Sequence, residues 1–148
     1  IGGAVQWVAV LAASVVAIMA FAGLTAWSVD QNKNGDLVNA YRRSKKLTAV
    51  RGDALGMKKA QAWSQRMART GVLEHTGGGP RLDTRGVTGW CGYKENVGYG
   101  SSVERVHQQF RRSPSHNANM LSRSHRIGVG VARKGNTVWV TEIYLRNC

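Results

Sequence analysis

No charged residue occurs before Asp30, so the chain opens with a stretch free of Lys, Arg, Asp and Glu. Acids are scarce afterwards as well, with 8 Asp and Glu against 21 Lys and Arg and a formal net charge of +13. Such a surface attracts anionic lipid headgroups, acidic wall polymers or nucleic acid, and charge alone selects none of them. Nucleic acid is disfavoured, because the basic residues are not interleaved with aromatic stacking platforms and no recognition helix is evident. Only two cysteines are present, too few to form a closed structural zinc site by themselves. Gly-x-Ser-x-Gly, Walker, dinucleotide-binding and His-Glu-x-x-His motifs are missing, as are internal repeats, which removes several enzyme classes.

What is there begins with Ala4 to Trp27, an almost unbroken apolar run. At about 24 residues and ~1.5 Å rise per residue, it can cross a hydrocarbon core of about 30 Å. Residues 1–28 are therefore read as one transmembrane helix. A cleaved secretory signal is the alternative, with Ala20-Phe21-Ala22 as the cleavage sequence, but the run exceeds the roughly 7 to 15 residues of a signal core. Lys33, Arg42, Arg43, Lys45 and Lys46 follow the span, and positive-inside counting would keep that side cytoplasmic. The cysteines point the other way. Cys91 in a Gly-rich loop and Cys148 at the end of the sequence stand where a disulfide would staple a small domain. Loop closure would contribute of order 4 kcal/mol, and two free thiols are the alternative. The expected placement is a single-pass membrane protein, surrounded by lipid at its first helix, with the C-terminal domain outside the cytoplasm.

Residues 29–36 are polar and turn-rich and read as a linker, leaving 37–148 as the folded domain. Leu37 to Leu47 carries a loose helical stripe. Asp53 can cap a better helix over Ala54 to Thr70, with Leu55, Ala60, Trp63 and Met67 on its apolar face and Gly71 ending it. The glycines from Gly77 to Gly79 and from Gly86 to Gly100 predict loop with at most one short extended piece. A helix starts at Ser101 or Ser102, buries Val103, Val106 and Phe110, and stops before Pro114; a short helical turn covers Ala118 to Leu121. Arg126 to Arg133 and Thr137 to Leu145 alternate around a turn at Lys134-Gly135-Asn136, which reads as a hairpin with Val138, Val140 and Ile143 on shared faces. Helices followed by paired antiparallel strands imply an α+β fold.

Two of the four histidines, His75 and His116, fall in loop or helix-start positions beside Gly, Ser and Thr. With Glu95 they supply donors that suit zinc or copper, or a proton-transfer pair. His107 and His125 read as surface residues.

Four blocks occur in order: Leu73-Glu74-His75; Glu95-Asn96-Val97-Gly98-Tyr99-Gly100; Ser113-Pro114-Ser115-His116-Asn117; and Ile127 to Ala132 followed by Trp139 to Ile143. Together they resemble the bacterial branch of the CAP superfamily (cysteine-rich secretory proteins, antigen 5 and plant pathogenesis-related proteins) over roughly Val38 to Tyr144. The resemblance implies a three-layer α-β-α sandwich with a small antiparallel sheet. It also implies a cleft lined by His75, Glu95 and His116, with Glu142 or Glu104 as second acid. Some members hold a divalent metal such as zinc, which would fall on His75 and His116; others carry sterols or fatty acids. Glu142 stands where relatives often have Gln, Asn117 where they usually have Arg, and Phe110 where many have Trp.

The favoured expectation is a membrane-anchored binding or interaction module outside the cytoplasm, contacting anionic envelope components or serving as an accessory subunit of a membrane complex. A metal-dependent hydrolase working through the His/Glu cleft and a lipid or sterol carrier are the alternatives.

Overall fold

The computed structural model describes residues 27–148. The expected membrane span lies outside the described residues except for Trp27, and among those described no helix is long and apolar enough to cross a membrane. Eight elements follow in order: α1 (Val29–Ser44), β1 (Arg51–Gly52), α2 (Ala54–Thr70), β2 (Trp90–Gly100), α3 (Val103–Arg112), α4 (Pro114–Met120), β3 (Arg126–Lys134) and β4 (Thr137–Asn147). The strands form one sheet in the order β1-β3-β4-β2, with β1 parallel to β3 and the other pairs antiparallel.

Helices cover both faces of the sheet. Val38 of α1, Val103, Val106 and Phe110 of α3 and Met120 of α4 pack against Val129, Val131, Val138, Val140 and Tyr144. On the other face, α2 lays Ala60, Met67 and Ala68 against Ile143, Leu145, Val97 and Trp139. The hairpin alternation therefore serves two cores, and Ile143 belongs to the face opposite Val138 and Val140. Asp53 caps α2 by accepting from the Gly56 N–H at 2.8 Å, and Gly71 ends the helix in the left-handed conformation. Leu55, expected on its buried face, is exposed, and Trp63 is half-buried with its indole N–H donating to the Glu74 carbonyl at 2.8 Å.

Three local expectations need correction. The 29–36 segment is not a linker but the first half of α1. Ser28 and Gln31 close a reciprocal capping box there, at 3.1 and 2.8 Å. The helix is held by buried polar residues as well as by its apolar stripe of Leu37, Val38 and Tyr41: Gln31 donates to the Val129 carbonyl at 2.8 Å, and Arg42 donates to four carbonyls from Thr48 to Ser124. The glycine-rich passage before Gly100 is an 11-residue strand, β2. Its glycines serve packing: a Cβ on Gly98 would sit 2.7 Å from the Phe110 ring. His107 is not a surface residue. It is 5% exposed and stands edge-on to Tyr41 at 6.2 Å, and burial, with a lesser push from Arg111, lowers its pKa to about 4. His125 is exposed as expected.

Cys91 and Cys148 are joined, tying the start of β2 to the residue after β4 across a sequence separation of 57. Loop closure of that length contributes about 4 kcal/mol in the chain-entropy picture.

The tightest approach of backbone to backbone is between α2 and β3, where a Cβ on Gly130 would overlap the carbonyl of Ala60. Backbone cannot rotate away as a side chain can. Gly130→Ala should cost at least ~2 kcal/mol in chemical denaturation. Gly35→Ala, in α1 with nothing within 4 Å of the added methyl, should be neutral or stabilising by up to about 1 kcal/mol.

Candidate functional site

Successive side chains of a strand point to opposite faces, and β2 is an edge strand, so Glu95 and Asn96 reach into different layers of the fold. Glu95 turns to the α2 side. Its carboxyl oxygens accept from the Thr76 N–H at 2.9 Å and the Thr76 hydroxyl at 2.7 Å, and Oε1 lies 2.8 Å from His75 Nδ1. The Glu95 side chain is fully buried while that of His75 is 47% exposed, so the carboxyl fixes the ring from behind and leaves its other edge to solvent.

Asn96 turns to the other side and anchors α4. Its amide donates to the His116 carbonyl and to Glu142 Oε2, both at 3.1 Å, and its oxygen accepts from Asn119 at 2.9 Å. Asn119 also donates to the Glu95 carbonyl at 3.1 Å. The His116 ring rests on Phe110 with centroids 4.9 Å apart. Its pKa is pulled below the ordinary imidazole value, chiefly by burial and then by the charge of His75. His75 and His116 are thus held to adjacent residues of β2, one from each layer.

A cleft of about 390 Å³ opens there, walled by His116, Phe110, Gly98, Tyr99, Val97 and Leu73 among others. His116 borders it directly. His75 and Glu95 do not, although Leu73 and Val97, two residues from each, do. Tyr99, half exposed, stacks on Trp139 at 4.9 Å and forms an aromatic lip. Glu104, the other candidate acid, is paired with Lys33 at 2.7 Å on α3 and takes no part.

Glu142 is not in the cleft. It has no accessible surface and lies under the floor, because β4 is central and its side chain faces α1. It accepts from Asn34 at 2.9 Å, Asn96 at 3.1 Å and the Tyr144 hydroxyl at 2.7 Å. Burial raises its pKa, against the lowering effect of these donors. Asn117 accepts from the Tyr41 hydroxyl at 2.8 Å, a neutral contact at the position where the resemblance leads one to expect Arg.

Thr76, Asn96 and Asn119 carry the architecture and were not singled out from sequence. Reading β2 as a strand would have exposed Asn96, since the residue after Glu95 must then face the opposite layer. Two imidazoles with outward edges can offer metal ligands, but a catalytic zinc site takes three protein ligands. Among the described residues no three His, Cys, Asp or Glu are grouped to hold a metal ion.

A buried acid whose pKa is raised on folding binds more protons in the native state, so its contribution to stability is retained in acid and declines as pH rises past the ordinary glutamate value of about 4.3. Glu142→Gln keeps an acceptor for Tyr144 and Asn96 without the charge. The variant should match or exceed the native protein in stability at pH 7, with the difference shrinking towards pH 4, in denaturation curves recorded across that range.

Residues 36–144 match the family model described as the cysteine-rich secretory protein family, CAP. Among solved structures, an extracellular SCP-domain protein of Bacillus anthracis superposes with a TM-score of 0.69 at 25% identity, over 80% of this chain but only 40% of that one. An outer surface protein of Borrelia burgdorferi gives 0.66 at 16% identity, over 80% of this chain and 93% of that one. The venom allergen-like protein 4 of Schistosoma mansoni gives 0.66 at 12% identity, over 82% and 91%. A search of curated proteins found no match.

Proposed function

Because the chain belongs to the cysteine-rich secretory protein (CAP) family, we propose that it is a membrane-tethered CAP domain acting outside the cytoplasm as a binding or interaction module. Its partners in this reading are the lipid around the apolar run from Ala4 to Trp27, anionic polymers or lipids of the envelope, and neighbouring subunits of a membrane complex. The observation that carries the location is the Cys91–Cys148 disulfide, since such bonds persist in oxidising compartments and are rare in reducing ones. The similar Bacillus anthracis protein is described as extracellular, which agrees. A net charge of +13 supplies the attraction to anionic partners, and that attraction should weaken with salt.

A binding role suits the cleft better than hydrolysis does. Glu95 is committed to Thr76 and His75 and has no accessible surface from which to serve as a base, and Glu142 is sealed beneath the floor. Beside the polar Gln109 and Ser113, the cleft is lined by imidazole, aromatic and aliphatic surface, a lining that grips rather than one that cleaves.

Location is tested in intact cells expressing the full chain, with a membrane-impermeant reductant followed by an impermeant maleimide. Both cysteines should be labelled without lysis; labelling only after lysis would place the domain in the cytoplasm and end this reading. Binding is tested on the purified chain in nonionic detergent, which should be retained by an acidic wall polymer at low salt and released by ~0.3 M salt, where the screening length has fallen to several ångströms. Absence of retention would remove the polymer as a partner.

A further inference from the structure

Away from the cleft, a second hollow of about 560 Å³ opens where the C-terminal end of α1, the strand β1 and the turn between α4 and β3 meet. Its wall holds Arg42, Arg51, Arg123 and His125 and no acidic residue. Arg42 is the unusual member. It is 2% exposed, and all its hydrogen bonds go to neutral carbonyls: Thr48 at 2.9 Å, Met120 at 2.8 Å, Ser122 at 2.9 Å and Ser124 at 3.4 Å. Buried guanidinium groups are ordinarily matched by an acid, and among the described residues none is paired with Arg42. Its carbonyl ligands include three from Met120 to Ser124, so the uncompensated cation also shapes the wall of the hollow.

The other lining groups add donors. Asn147 donates its N–H to His125 Nδ1 at 3.0 Å, so a neutral His125 carries its proton on Nε2 as a further donor. Arg51 and Arg123 are exposed and enter none of the salt bridges among the described residues. Ser122 and Ser124 contribute hydroxyls 2.7 Å apart. A concave site with several guanidinium groups, hydroxyls and an imidazole N–H, and no acid, matches the donor set that recognises a phosphate group.

We propose that this hollow is a binding site for a single phosphate group, with Arg51, Arg123 and His125 as the contacting residues and Arg42 as the fixed charge behind them. The headgroup of an anionic phospholipid and free phosphate share that chemistry. The lipid source fits the position of Trp27, the last residue of the apolar run. Its ring lies against Gly52, the neighbour of Arg51, which sets the rim of the hollow beside the point where that run meets the domain.

The test uses the full chain in nonionic detergent, titrated separately with inorganic phosphate and with soluble dihexanoyl phosphatidylglycerol and followed by amide chemical shifts. Saturable shifts confined to Leu121–His125 and their neighbours are expected. Arg51→Gln with Arg123→Gln should weaken binding at least tenfold, while Lys58→Gln with Arg81→Gln, exposed and equal in charge lost, should change it less than twofold. Shifts scattered over the surface, no saturation, or equal losses in the two double variants would overturn the proposal. Tighter binding of the lipid than of phosphate identifies a headgroup site, and the converse a free-phosphate site; either supports the pocket. Because binding is read in detergent solution, its failure leaves the topology reading standing, and the reverse also holds.

Discussion

The fold of the site depends on one buried carboxyl. Glu95 sits on an edge strand, and its oxygens are satisfied by the Thr76 N–H, the Thr76 hydroxyl and His75. A buried carboxyl left without such partners costs several kcal/mol, so the contact is strongly specified. It pins the long irregular passage between α2 and β2 to the sheet and sets the angle of the His75 ring. Asn96, the next residue, performs the corresponding task on the opposite face by holding the His116 carbonyl and Asn119. One dipeptide in extended conformation therefore positions both histidines, and the pleat of the strand is what lets it reach both layers.

Close approach of backbones is the second constraint. Gly128 and Gly130 of β3 lie against the backbone of α2, and Gly98 of β2 lies under Phe110, on which His116 stacks. These glycines let the layers come near enough for short side chains such as Thr76 and Asn96 to span them. The floor beneath is polar where a hydrocarbon core would be usual: Glu142, Tyr144, Asn34 and Asn96 form one hydrogen-bonded group at zero accessibility. Asn34 Oδ1 is the one oxygen of the group without a hydrogen-bond partner among the described residues, so the network fixes Glu142, Tyr144 and Asn96 more firmly than it fixes α1.

Much of this was legible from residue order. The Asp53 cap, the Gly71 stop, the hairpin around Gly135 and the start of α3 at Ser102 each follow from local chemistry that tertiary context did not overrule. The blocks around His75, Glu95 and His116 also carried the family likeness that the match over residues 36–144 shows. What could not be read was anything decided by a partner element. Glycine reads as a loop former, yet in β2 its role is to admit Phe110 and Val106. Polar residues read as linker, yet Gln31 and Asn34 are turned inward to meet Val129 and Glu142. His107 and Glu142 are polar residues whose burial exists only once α1 packs on the sheet.

The central claim is that the extended Glu95-Asn96 pair brings His75 and His116 to the edge of β2 from opposite layers, so that the charge of His75 bears on the His116 ring. The most direct measurement is the NMR titration of the His116 ring in the native chain and in His75→Gln. The account predicts that His116 titrates below an ordinary imidazole in the native protein and moves upward once the neighbouring charge is removed. An unchanged His116 titration in the variant, with the fold intact, would contradict it.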